Sequence, residues 1–282
     1  PAMKIHPFDA PLGAEITGIN LTDDLDISTI KALNEAWAEY IVLCIRSQNL
    51  TPREFLKVGR IFGEPFEQLY GQFNLPEFPD VGVLTHMDGD TAGSGKRKIR
   101  GTSWHTDASY FEHPPAGTML FAVNVPSDGG DTDFMSTRAA YNALSENMKK
   151  RIDGLNAVHV YESSRSPRRL IKRTEDQVKK FGDQFVHPIA RTHPVHGKKS
   201  IYLNPIRVEK IDGMDNTESD SLIDKLHDHL FQPRFHYRHK WQIGDFLIWD
   251  NRQALHQAND DYDWKTQERK LYRIMTKGER PI

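Results

Sequence analysis

Short apolar runs and polar stretches alternate along the 282 residues of this chain, with two different periods. Residues 14–21 alternate apolar and polar, the pattern of a strand with one buried face. Ile30, Leu33, Trp37 and Ile41 recur near a 3.6-residue period and predict a helix. A continuous apolar run over residues 41–45 then predicts a buried strand. Thr51-Pro52-Arg53-Glu54 combines a capping box with proline at the first helical position. The helix it opens carries Phe55, Val58 and Phe62 on one face and stops at Gly63. Further strands are predicted at 81–84, 118–125, 157–161, 246–249 and 270–276, with another following the Gly129-Gly130 turn. Segments 187–193 and 200–204 read as strands joined by a turn at His196-Gly197. Ser136 opens a helical stretch to about Gly154, with a break near Ser145. Thr217 to Asp220 resembles a capping box for a helix that turns Leu222, Leu226 and Leu230 inward and ends before Pro233. Residues 88–95, rich in Gly, Asp and Thr, read as a flexible loop. Residues 163–182 are so polar that they read as a mobile lid. Many short strands with few helices predict a single mainly-β domain over residues 3–282, a β-sandwich or jelly roll with helical decoration. Residues 1–2, ahead of Met3, read as a cloning scar.

Composition narrows the function. Hydrophobic residues make up 38% of the chain, enough for a sizeable core. A net charge of −2 argues against a nucleic-acid-binding footprint. The single cysteine, Cys44, lies in the apolar run, where it reads as a buried small hydrophobe with no disulfide partner. No apolar stretch approaches 18 residues, so no membrane span is expected. These features suit the reducing cytoplasm. The basic run at 96–100 reads first as a solvated face, and second as a lure for an anionic substrate.

The chemistry centres on Trp104-His105-Thr106-Asp107. Residues i and i+2 of an extended segment project from the same side, so His105 and Asp107 aim at a common point. They supply two thirds of a 2-His-1-carboxylate triad, the donor set that holds non-haem Fe(II) with open positions. The third donor must come from far along the chain. His227 and His229 sit two apart on a predicted helix and face different directions. His187 and His193 each precede a proline and read as turn residues. His236 and His239 lie in a polar stretch and read as surface residues. His256 is different, because it follows the buried strand that ends in Trp249-Asp250-Asn251-Arg252. Beyond it, Arg269 and Arg273 are four apart and share one face of a strand. They are either an inward pair that neutralises anions or part of a basic surface ribbon.

Together, Trp104 to Asp107, Gly129-Gly130-Asp131-Thr132, Trp249 to Arg252 with His256, and Arg269 with Arg273 resemble the TauD/TfdA family of Fe(II)- and 2-oxoglutarate-dependent dioxygenases. The likeness runs from about Pro7 to Pro281. It implies a double-stranded β-helix, the cupin-like jelly roll, and a chemistry in which O2 and 2-oxoglutarate are consumed, succinate and CO2 are released and a substrate C–H is hydroxylated. By resemblance, His105, Asp107 and His256 match the iron ligands. Thr132 and Arg269 match the groups that bind the distal carboxylate of 2-oxoglutarate, and Arg273 matches a contact to the substrate anion. The implied substrate is a small anionic organic compound: a sulfonate, a sulfate ester, an aryloxyalkanoate or another carboxylate. A homo-oligomer, dimer or tetramer, is also implied. The chain departs from taurine-using members at Gln68, Gly101 and Arg207. Arg207 faces either the pocket or solvent, and Gln68 and Tyr70 are placed beside the substrate. The competing reading is a non-catalytic jelly-roll binding or sensing protein.

Overall fold

A computed structural model describes residues 2–88 and 100–282. In chain order the strands are β1 (Lys4–Pro7), β2 (Ala14–Thr17), β3 (Val42–Ile45), β4 (Pro65–Phe66), β5 (Asn74–Leu75), β6 (Phe78–Thr85), β7 (Gly117–Asn124), β8 (Thr132–Ser136) and β9 (Asn156–Val160). They continue with β10 (Gln184–Pro188), β11 (Ala190–Thr192), β12 (Lys199–Ile201), β13 (Val208–Ile211), β14 (His236–His239), β15 (Phe246–Asp250), β16 (Ala254–Ala258) and β17 (Lys270–Thr276). The helices are α1 (Ile27–Tyr40), α2 (Pro52–Phe62), α3 (Thr137–Asn142), α4 (Glu146–Ile152), α5 (Glu175–Phe181) and α6 (Asn216–Leu230).

Among the described residues, a major sheet runs β1-β2-β3-β15-β7-β17-β6-β5, with β4 added to β17. A minor sheet, β14-β8-β16, faces it, and a third runs β10-β9-β13. This is the expected jelly roll. Strand parity explains both the continuous apolar runs and the position of the site. In β7, Met119 and Phe121 join the cluster under α1 and α2, while Leu120 and Ala122 face the space between the sheets. In β15, Phe246 and Ile248 take the helix side, and Leu247 and Trp249 the inner side. Both faces are dry, so alternation vanishes from the sequence. The minor sheet obeys the same rule: Phe134 and Ala254 look inward, Met135 and Leu255 outward to α6. By parity, Thr118, Thr132, His256, Leu271 and Arg273 therefore lie on the inner side.

Three local expectations change. The helix N-cap in the last third is Asp215, whose carboxylate accepts from Glu218 N at 3.2 Å, and not Thr217. Ile41 is outside α1: it caps the helix with φ +73° and drops into the inter-sheet core. Within residues 163–182, Thr174 builds a capping box with Gln177 and opens α5, an element that the polar composition concealed. No helix among the described residues is long and apolar enough to cross a membrane. The loop read at 88–95 and most of the basic run at 96–100 lie outside the described residues. Arg100 is folded inward, not solvated, with an ion pair to Asp88 at 3.0 Å.

Candidate active site

His105 and His256 come together through the backbone. His105 N donates to His256 O at 3.0 Å and His256 N to His105 O at 2.8 Å, an isolated bridge on the edge of β16. This pairing brings residues 151 positions apart to a ring separation of 4.2 Å. Gly101 packs against His105 with φ +79°, a backbone conformation that favours glycine. Asn204 Nδ2 holds Thr106 O at 2.8 Å, and Thr106 Oγ1 donates to Asn251 O at 2.9 Å. The strand-like segment is thus pinned through Thr106, and His105 and Asp107 project from its other side toward His256.

The donor atoms of His105, Asp107 and His256 all lie within 4.8 Å of one another, and all three residues are buried. Asp107 Oδ1 stands 3.7 Å from His105 Nε2 and 3.6 Å from His256 Nε2, too far for hydrogen bonds. The other oxygen, Oδ2, accepts from Thr118 Oγ1 at 2.6 Å. Asn251 Nδ2 in turn donates to Thr118 Oγ1 at 2.9 Å, and Trp249 Nε1 to Asn251 Oδ1 at 3.0 Å. This relay fixes the carboxylate with Oδ1 toward the imidazoles. Sequence reading missed Thr118 and Asn251 as orienting groups; the only signal was Asn251 within the Trp-Asp-Asn-Arg motif.

Electrostatics prepare the same set for a cation. Burial holds the His105 imidazole well below its usual pKa, helped by His256 and Arg168. Burial likewise lowers His256 to about 4, with Arg273 and Arg168 adding to it. Burial pushes Asp107 the other way, but Arg273 and the two imidazoles outweigh it and keep the carboxyl well below the carboxylate range. Two neutral imidazoles and one carboxylate are the protonation states that ligation requires. His105 Nδ1 donates to Ser103 O at 2.7 Å, so its Nε2 carries the lone pair. The donor set therefore fits Fe(II). A second cluster, Cys44, His239 and Asp245, does not fit a metal. Asp245 already accepts from Arg46, His239 and Gln242 N, and burial pushes the Cys44 thiol up to about 12.

The residues expected to bind the cosubstrate converge nearby. Arg269 is buried and donates through Nε to Gly130 O at 3.1 Å. Gly130 has φ +70°, and a Cβ there would press on Arg269 at 3.3 Å, which accounts for the Gly-Gly turn. Thr132 Oγ1 accepts from Trp241 Nε1 at 2.9 Å. An accepting hydroxyl keeps its own proton for donation, the polarity a carboxylate needs.

The histidines set aside from the sequence remain outside the site, but two readings of them were wrong. His239 is fully buried, not on the surface, and bonds Asp245 at 3.0 Å. His187 and His193 are more than turn residues: His187 Nε2 reaches Ser109 O and Phe111 O, each at 2.8 Å, and His193 Nε2 bonds Asp250 at 2.9 Å. Gln68 does not stand free in the pocket. It is buried, and its Oε1 accepts from Arg273 at 3.3 Å, so it positions that guanidinium. Arg273 also reaches Asp107 Oδ1 at 3.2 Å. Tyr70 donates to Tyr161 Oη at 2.6 Å. Arg207 is buried, at 5% exposure, which rules out the solvent-facing alternative.

Comparison with known proteins joins this geometry to a family. The family model described as Taurine catabolism dioxygenase TauD, TfdA family matches residues 4–275. The chain belongs to the TauD/TfdA family. An alpha-ketoglutarate-dependent sulfate ester dioxygenase of Pseudomonas putida is 32% identical over 287 residues, covering 99% of this chain and 91% of the relative. An (S)-phenoxypropionate/alpha-ketoglutarate-dioxygenase of Sphingobium herbicidovorans is 34% identical, covering 92% and 90%. Among solved structures, a taurine dioxygenase from Burkholderia xenovorans superposes with a TM-score of 0.83 at 29% identity, covering 100% of this chain and 93% of that one. AAD-2 in complex with Mn(II) and N-oxalylglycine gives a TM-score of 0.82 at 27% identity, covering 100% and 99%. This TauD/TfdA member is a dioxygenase that uses Fe(II), 2-oxoglutarate and O2. The relatives support the enzymatic reading and not the silent binding protein.

Proposed function

We propose that His105, Asp107 and His256 hold the Fe(II) of this enzyme, that Arg269 and Thr132 bind the distal carboxylate of 2-oxoglutarate, and that Arg273 receives the anionic group of a small organic substrate. Bound there, Fe(II) supplies the redox centre at which O2 and 2-oxoglutarate become CO2 and succinate while a substrate C–H is hydroxylated. The observation that carries the reading is the trio of buried donor atoms within 4.8 Å, with both imidazoles held neutral.

Each side chain has a separable task. Thr118, backed by Asn251, keeps Asp107 Oδ2 engaged so that Oδ1 is the ligating oxygen. The planar Arg269 fork takes a carboxylate bidentately, and the Thr132 hydroxyl adds a third donor. Gln68 sets the direction of Arg273. The substrate class we favour is a sulfonate, sulfate ester or aryloxyalkanoate, the classes for which related dioxygenases are named. Hydroxylation beside sulfur or oxygen gives an unstable product, so the net result is cleavage of the C–S or C–O bond. A ferrous site and one buried cysteine suit the cytoplasm.

Anaerobic addition of Fe(II) and 2-oxoglutarate should raise a visible metal-to-ligand absorption band in the wild type and none in His105→Ala. A band that survives that substitution overturns the ligand assignment.

A further inference from the structure

Arg273 is not the only cation on the substrate side of the site. Arg207 lies just ahead of β13, almost fully buried, and among the described residues its Nε lacks a hydrogen-bond partner. Among the described residues its one side-chain hydrogen bond is to a main-chain carbonyl, Tyr161 O. The guanidinium stacks between aromatic faces, with Cζ 5.0 Å from the Tyr110 ring and 4.9 Å from the Tyr161 ring. The Tyr110 hydroxyl is itself buried without a partner. Arg168, from the segment read as a lid, bonds Ser103 Oγ through Nε at 2.7 Å. Ser103 is the residue whose carbonyl orients His105. Arg168 therefore stands at the rim of the iron-ligand cluster, and its charge bears on His105, Asp107 and His256. The Arg207 guanidinium also disfavours the charge on Arg168.

Among the described residues neither Arg168 nor Arg207 has a carboxylate partner. The other arginines here are already matched: Arg100 pairs with Asp88 at 3.0 Å and Arg173 with Asp183 at 3.1 Å. Two cations within electrostatic reach of each other, one buried and both without a carboxylate in ion-pair range, are costly unless an anion joins them. This cost differs in origin from that of Arg273, which already has Asp107 and Gln68. Tyr70, Tyr161 and Tyr110 form a continuous aromatic wall against Arg207: the Tyr70 hydroxyl bonds Tyr161, and the Tyr161 and Tyr110 rings meet edge to face at 5.6 Å. An apolar spacer fits such walls.

We propose that Arg168 and Arg207 form a second anion-binding subsite, so that the enzyme prefers a substrate with two acidic groups, one at Arg273 and a carboxylate at the Arg168–Arg207 pair, joined by a short apolar spacer. The proposal deepens the substrate reading above and rests on it. It also gives the departure at Arg207 a purpose, since a planar guanidinium fork is matched to a carboxylate.

The test uses the full-length protein loaded anaerobically with Fe(II) and 2-oxoglutarate, and two probe series of equal chain length. One is the unbranched alkane-1-sulfonates of two to six carbons; the other is the same compounds with a terminal carboxylate in place of the terminal methyl. Dissociation constants are read from tryptophan fluorescence, and succinate release is measured after admitting air. The wild type should bind at least one carboxylated probe 10-fold or more tighter than its methyl counterpart. Arg207→Met and Arg168→Met should each bring that ratio to near one. If circular dichroism finds Arg207→Met unfolded, the half-buried Arg168→Met decides alone. Equal affinity for the two series in the wild type, or a preference that survives in a folded variant, overturns the subsite. Failure to form the visible 2-oxoglutarate complex would instead count against the parent reading, which keeps the two failures distinguishable.

Discussion

At the scale of the residue, the site works through groups that prepare other groups. Trp241 donates to Thr132 Oγ1, which leaves the hydroxyl proton of Thr132 available to a carboxylate. Losing one partner of a buried, hydrogen-bonded charge pair costs about 2–5 kcal/mol. Arg269→Ala should therefore weaken 2-oxoglutarate binding by roughly 30-fold or more. Trp241→Phe removes one neutral hydrogen bond, about 1 kcal/mol, and should weaken it by roughly 5-fold. Anaerobic titration of the visible band against 2-oxoglutarate separates these outcomes. An equal loss in both variants would mean that the tryptophan shapes the pocket rather than polarises Thr132. Asp107 depends on its neighbours in the same way, through Thr118 and Asn251.

At the scale of the element, caps and strand parity decide placement. The capping box at Thr51 is complete, as its four residues announced. The second apparent box was misplaced by two residues, because Asp215 is an equally good cap and its carboxylate reaches Glu218 N. Asp215→Ala should lower stability by about 1 kcal/mol, whereas Thr217→Ala should stay within about 0.5 kcal/mol of wild type. Urea unfolding at constant m-value measures both, and a larger loss at Thr217 would restore the first reading. Parity also explains why β17 could be read correctly. Tyr272 and Ile274 pack under α1 and α2, so Arg273 must turn to the inner side with Leu271. The excursion at 163–182 was harder. Its charges pair with flanking residues and with distant elements, as Arg173 does with Asp183 and Arg165 with Asp220. Composition alone cannot distinguish such paired charge from solvated charge.

At the scale of the whole molecule, burial of titratable groups ties stability to pH. Burial lowers His187 to about 4, while its neutral Nε2–H serves two carbonyls. Unfolded, the same imidazole takes a proton near pH 6.5. Above that pH both states are neutral and the histidine contributes no slope. As pH falls from about 6.5 to about 4, only the unfolded state binds the proton, so stability drops; below about 4 the slope vanishes. The full effect is at most about 3 kcal/mol. His227, also lowered to about 4 by burial, should act in the same window. Urea midpoints measured from pH 7 to pH 4 should fall, and His187→Gln should flatten part of that fall. An unchanged slope in the variant would show that other groups carry it.

The sequence by itself determined the local grammar of this protein. Periodicity marked α1, α2, β15 and β17, the Thr51 box marked a helix start, and the His-x-Asp tripeptide with its distant companions marked a ferrous chemistry. These are signals of short range, or of motif order, and they survive in one dimension. Only the tertiary structure decided what lies next to what. His105 meets His256 through a backbone bridge across 151 positions, His239 is drawn into the core by Asp245, Gln68 turns from a substrate contact into the support of Arg273, and Arg207 is buried between two tyrosine rings. The physical reason is common to the first three. A polar side chain far from its partner in sequence reads as solvated, and becomes an interior group only when packing supplies the partner that offsets its desolvation.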